Sequence, residues 1–150
     1  MKTLVVRNGD IQVNSGKLLF AKGTTKLVED ITRWLQEPLG TGWTTPGFGS
    51  TLSAMIGTPQ TAASTNMVST EILRVLQLYQ GQQILDLRAA QNSAQLAYYS
   101  QDEVIQKVQN ITVELGFNSI LANVNIETLS GSLVNLSVSI GNNGVTVTNG

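Results

Sequence analysis

Ten carboxylates and no histidine or cysteine make up the chemical inventory of this 150-residue chain. The carboxylates are Asp10, Glu29, Asp30, Glu37, Glu71, Asp86, Asp102, Glu103, Glu114 and Glu127. Without histidine, the commonest general base and the commonest metal ligand are both missing. Ser-His-Asp, Cys-His and histidine-rich zinc chemistry are excluded, and so are disulfides and thiolates. An enzyme built here would have to work with carboxylates alone. Glycoside hydrolysis needs two of them flanking one bond, one with a raised pKa. Glu29-Asp30 and Asp102-Glu103 are sequence neighbours, so the members of each pair point to different helix faces. Helix starts and caps account for them without catalysis. No Asp-x-Asp or EF-hand loop points to calcium. The glycines of residues 38–50 form no phosphate cradle, because no Gly-Lys-Ser/Thr follows and no strand precedes. Asn110-Ile-Thr112 and Asn135-Leu-Ser137 fit the glycosylation pattern but fall inside expected strands. The expectation is no catalytic residue, no cofactor and no metal.

The remaining composition points toward association. Charged residues are 13% of the chain, about half the usual ~25%. Their place is taken by 16 Thr, 12 Ser, 12 Asn and 12 Gln. A surface of neutral hydrogen-bonding groups is weakly protected against association. It suits a subunit covered by neighbours, or a low-charge monomer. The net charge of −1 carries no footprint for nucleic acid or an anionic membrane. No run reaches the ~18 apolar residues of a membrane span. Met1-Lys2-Thr3-Leu4 lacks the long apolar run and cleavage site of a signal peptide, so synthesis in the cytosol is expected.

The elements follow from periodicity. Leu4-Val5-Val6, Ile11, Val13 and Leu18-Leu19-Phe20, broken by Asn8-Gly9 and Ser15-Gly16, predict a small β-meander over 3–21. Leu27, Val28, Ile31, Trp34 and Leu35 lie on one face of a helix over 25–37, capped by Thr24 or Thr25 and stopped by Pro38. Residues 38–50 read as an ordered loop, followed by a short helix over Thr51–Ile56 and a second loop, Gly57–Ser64. A long helical stretch spans 66–99. It either breaks near Gly81 or projects, since one helix of that length outreaches a compact domain of this size. Its glutamines fit a solvated helix or a multi-chain bundle. Ser100 to Glu103 has the capping-box pattern, predicting a short helix with Val104, Ile105 and Val108.

The period then changes to two. Ile111, Val113, Leu115 and Phe117 alternate with polar residues. So do Ile120, Ala122, Val124 and Ile126, and then Val134, Leu136, Val138 and Ile140. Asn142-Asn143-Gly144 turns the chain into Val145 and Val147. The fold class is α+β, with an antiparallel sheet of three or four strands covered by helices on one face. One domain is expected over 1–150: meander 1–23, helix and Pro/Gly loop 24–65, helical segment 66–107, sheet 108–150. From Val104 onward the charges are Lys107, Glu114 and Glu127 alone. Sheet edges are normally blunted by charge, proline or bulges, and these strands have almost none of that. Such an edge is covered internally or receives another chain's strand.

The order of parts resembles the small baseplate wedge proteins of contractile-tailed phages, whose relatives sit in type VI secretion baseplates. The resemblance is carried by Asn8-Gly9-Asp10-Ile11, Gly23, Leu27 to Ile31 and Trp34-Leu35. It continues in Gly40-Thr41, Pro46-Gly47-Phe48-Gly49-Ser50 and Leu52, and in Thr128-Leu129-Ser130-Gly131 between two alternating strands. Asp102-Glu103-Val104 stands near the place where many members carry Glu-Pro-Arg, and Gly40 to Trp43 where many carry Gly-x-Arg-Pro. Residues 80–99 look like an insertion relative to short members. The resemblance implies a virion subunit without enzymatic activity, present in several copies in a sixfold ring. It would join other wedge proteins to the tail sheath protein and to tube or hub proteins. Its sheet would resemble the strand-exchanging part of the sheath and initiate sheath assembly by strand addition. Trp43, Pro46, Phe48 and Gly49 would hold the central loop or grip the scaffold. Val134, Leu136, Val138, Ile140, Val145 and Val147 would lie on the sheath-facing strands. The other readings weighed are a carbohydrate-cleaving tail enzyme and a host-surface binding domain.

Overall fold

The computed structural model describes residues 3–7, 10–93 and 99–150. The chain opens with short strands β1 (Thr3–Leu4), β2 (Val6–Arg7), β3 (Asp10–Ile11), β4 (Val13–Asn14), β5 (Lys17–Leu18) and β6 (Phe20–Ala21). They pair β1 with β6, β2 with β3 and β4 with β5, all antiparallel. The expected meander is therefore a three-armed node. At its centre Val5 N–H donates to Leu19 O (3.0 Å), Gln12 N–H to Val5 O (2.9 Å) and Leu19 N–H to Gln12 O (3.1 Å). The reason is a repeat of seven. Val5, Gln12 and Leu19 are flanked by apolar residues at the same offsets, and the register sets Leu4 against Phe20, Val6 against Ile11 and Val13 against Leu18. Ser15 (φ 50°) and Gly16 (φ 76°) both take the left-handed conformation that a two-residue hairpin turn needs. The Asn8-Gly9 turn lies outside the described residues.

Helix α1 (Gly23–Gln36) buries Leu27, Ile31 and Leu35. Its cap comes from across the molecule and not from Thr24 or Thr25. Gly23 N–H donates to Glu103 Oε1 at 2.9 Å. Glu37 is extended, as the residue before Pro38 must be. Helix α2 (Ala62–Asn92) begins earlier than expected, at the Thr61 hydroxyl that accepts Ser64 N–H. It runs through Gly81 without a break, for about 46 Å at 1.5 Å per residue. It does not project as a free rod. Val68, Ile72, Val75, Leu76, Tyr79 and Gln83 are buried along it, chiefly against α1 and the sheet. Residues 94–98 of the expected helix lie outside the described residues.

The C-terminal third is a four-stranded antiparallel sheet of order β10-β9-β8-β7. The strands are β7 (Ile105–Leu115), β8 (Ser119–Thr128), β9 (Leu133–Gly141) and β10 (Gly144–Asn149). The fold is α+β, as expected. Two boundaries differ. The Ser100 to Glu103 pattern opens a single 3-10 turn over Gln101–Glu103, and Val104, Ile105 and Val108 belong to the extended chain that follows. Their β-branched, alternating pattern wins once α2 offers them a surface. At its other end β7 stops at Leu115, so Phe117 lies in a turn and not in a strand. Ile120, Ala122, Val124, Ile126, Val134, Leu136, Val138 and Ile140 form the inner face, packed with α1 and α2 residues in one core.

Candidate interaction edge and central loop

The sheet has two edges, and hydrogen bonding distinguishes them. Edge β7 carries bulges between Ile105 and Lys107 and between Val108 and Asn110. It also carries Lys107 and Glu114. Its first residues are covered by two glutamines of α2. Gln83, fully buried, donates to Glu103 O (2.6 Å) and accepts from Ile105 N–H (3.0 Å). Gln80 donates to Ile105 O and Gln106 O, both at 3.0 Å. Bulges, charges and a covering helix are all devices that block strand addition. Two of the glutamines of α2, Gln80 and Gln83, thus have a task that their sequence pattern did not reveal.

Edge β10 has no bulge or charge, and α1 reaches its backbone only at Val145 among the described contacts. Its sequence, Gly-Val-Thr-Val-Thr-Asn, has no charge or proline, and its register against β9 is unbroken over six pairs. Gly150 N–H donates to Asn135 O at 2.8 Å, which fixes the phase of the ladder. In an antiparallel pair bonded and non-bonded residues alternate. Gly144, Thr146 and Thr148 therefore bond to β9, while Val145, Val147 and Asn149 turn their backbone groups outward. Val145 O accepts from Gln36 Nε2 of α1 at 3.1 Å, so the open stretch starts at Val147.

This geometry corrects the expected sheath-facing residues. Val134, Leu136, Val138 and Ile140 lie on β9, an interior strand bonded on both sides. Their side chains are at most 4% exposed, in the core of the domain. They can neither accept a strand nor touch a partner. Val145 and Val147 sit on the edge strand, with side chains half-buried against the core.

The central loop is closed at its base. Leu39 N–H donates to Ser50 O (2.9 Å), and Ser50 N–H to Glu37 O (2.8 Å). The buried Ser50 hydroxyl donates to Leu35 O at 2.6 Å. Gly49 takes φ 106°, and a Cβ there would meet Glu37 O at 2.5 Å, so only glycine fits. Gly49 O accepts from Arg74 Nη2 (3.2 Å), and Arg74 also holds Glu71 Oε1 at 2.6 Å. The Arg74 hydrogen bond holds the Glu71 carboxyl below its usual range, against the opposing push of burial, with the Thr51 N–H assisting. Phe48 packs on Trp34 with ring centroids 4.4 Å apart. Trp43 is 93% exposed, and Pro46 is exposed too. The four expected loop residues thus separate: Gly49 and Phe48 hold the loop, while Trp43 and Pro46 face outward.

Most carboxylates serve as structural acceptors. Asp30 takes Thr3 Oγ1 (2.7 Å), Lys26 Nζ (2.8 Å) and the Tyr79 hydroxyl (2.8 Å), tying β1, α1 and α2 together. Burial, followed by the Asp30 charge, pushes the Tyr79 hydroxyl far above its usual pKa. Asp86 accepts from Gln82 and Tyr99, Glu103 from Gly23 and Ser100, and Asp102 from Ser130 and Ser132. Among the described residues no group of three or more acidic side chains could hold a metal ion. No helix among them is long and apolar enough to cross a membrane. Neither a family model, nor a curated protein, nor a solved structure matches this chain.

Proposed function

We propose that this chain is a non-enzymatic assembly subunit of a contractile-tail baseplate wedge, and that it takes a strand of the tail sheath protein on edge β10. The observation that carries the reading is the asymmetry of the sheet. One edge is bulged, charged and covered by α2, and the other is unbulged, uncharged and open from Val147 onward. Added strands gain backbone hydrogen bonds of about 1 kcal/mol net each. Repetition around a ring multiplies that gain as avidity. The commitment of Asp30, Glu71, Asp86, Asp102 and Glu103 to internal donors supports a subunit over a carbohydrate-cleaving enzyme.

The test is retention of the sheath protein from the same gene cluster by the full chain and by Val147→Pro. Val147 N–H points outward, so the proline removes no internal ladder bond and is tolerated on an edge. The expected result is retention by the full chain and loss by Val147→Pro, with an unchanged circular dichroism spectrum. Equal retention by both, or no retention by the folded full chain, would refute strand addition at β10.

A further inference from the structure

The open edge also decides how two copies of this chain can meet. Two four-stranded sheets can join edge to edge, but any pairing that uses β7 runs into its bulges and into Lys107 and Glu114. It also meets the Gln80 and Gln83 side chains bonded to the first residues of that strand. That leaves β10 against the β10 of a second copy. Neither β9 nor β10 carries a charged residue, so these strands set no like charges against each other across the junction. A β10–β10 pair is isologous and closes at two copies, whereas a β10–β7 contact would build an open row.

Hydrogen bonding selects the register of such a pair. The outward backbone groups of β10 belong to Val145, Val147 and Asn149, because the residues between them bond to β9. In an antiparallel pair the two residues that exchange bonds must both come from that outward set. Val145 O already accepts from Gln36 Nε2 at 3.1 Å. Setting Val147 against itself, or against Val145, would call on that occupied carbonyl. Setting Val147 against Asn149 does not. Val147 N–H and O then meet Asn149 O and N–H of the second copy, and the twofold axis repeats the exchange. Every backbone group of Val147 and Asn149 is used. The axis passes between Thr148 and its copy, a non-bonded pair with Cα atoms about 4.5 Å apart. Two threonines there form a favourable cross-strand pair.

We infer that two copies of this chain pair through β10 about a twofold axis at Thr148, each covering the edge that a sheath strand would take. The inference rests on the same open edge as the proposed function and adds what covers that edge in the free protein. The contact is short. Two bonded residues per strand bury far less than the ~800 Å² per partner of a stable complex. The pair is therefore reversible, and a strand offered repeatedly around a ring displaces it through avidity.

The absence of cysteine makes the test direct. Thr148→Cys sets two thiols across the axis, within the Cα separation that a disulfide spans. Thr146→Cys, exposed on the same strand, lies opposite Gly150, so its two thiols stand about 13 Å apart along the strands. In a glutathione buffer the full chain with Thr148→Cys should form a disulfide-linked dimer at least tenfold faster than the chain with Thr146→Cys. Adding Val147→Pro should remove that excess, with an unchanged melting temperature of the reduced protein. In the cysteine-free chain, Val147 and Asn149 N–H should exchange more slowly at high than at low protein concentration, while Val145 N–H does not change. Thr148→Cys cross-linking no faster than Thr146→Cys, or insensitive to Val147→Pro, overturns the inference, and so does concentration-independent exchange at Val147. Preferential cross-linking without sheath retention supports the pair and refutes the sheath reading. Sheath retention without preferential cross-linking refutes the pair alone.

Discussion

Single residues here do structural work that their chemistry alone does not announce. Gly49 is required by geometry, since φ 106° and a 2.5 Å approach to Glu37 O exclude any side chain. Gly49→Ala should destabilise the domain by about 3 kcal/mol, read as a lower denaturant midpoint with an unchanged slope. Glu71 sets an acid limit. Its folded pKa is depressed by Arg74, so its contribution is complete above the unfolded value of about 4.3. The contribution is lost as pH falls through the lower folded value. Thermal stability measured from pH 7 to pH 2 should therefore fall below about pH 4.3. Glu71→Gln should be less stable at pH 7 and should show a shallower acid limb.

At the scale of elements, α2 decides which sheet edge is closed. Gln83 serves the backbone on both sides of Val104, and Gln80 serves the next two carbonyls. Gln83→Ala would leave two buried backbone groups without partners, at a cost of about 1–3 kcal/mol each. The expected outcome is a loss of about 2–6 kcal/mol on that basis, with faster amide exchange at Ile105. The N-terminal node shows the same logic in small. Three hairpin arms that could not stand singly share one triangle of hydrogen bonds through Val5, Gln12 and Leu19. Thr3 then anchors the node to Asp30 of α1.

For the whole molecule, the position of a strand in the sheet governs what a substitution there tests. Val147→Pro lies on the open edge and should abolish strand addition while the domain stays folded. Val138→Pro lies on β9 between β8 and β10 and should unfold the domain, because proline removes an interior ladder bond. The two melting temperatures, compared side by side, check the sheet order itself.

Much of this was legible in the sequence, because local periodicity reports local structure. The 3.6-residue spacing of Leu27, Ile31 and Leu35 marked α1, and the alternation from Ile120 to Val147 marked three strands and their inward faces. The loop at 38–50 and the hairpin at Asn142-Asn143 were equally visible, since Gly, Pro and Asn act through backbone conformation. What periodicity could not supply was neighbourhood. Val134 to Ile140 alternate as an edge strand would, but their place inside the sheet follows from the pairing order alone. Gln83 looks like any helix glutamine until β7 lies against it, and Glu103 caps a helix 80 residues away. Gly81 would break an isolated helix, yet the packed surface of α2 outweighs a cost of about 1 kcal/mol. Residue types and spacing fixed which faces are apolar. Only tertiary packing decided which of two sheet edges stays open, because that depends on long-range contacts no local pattern encodes.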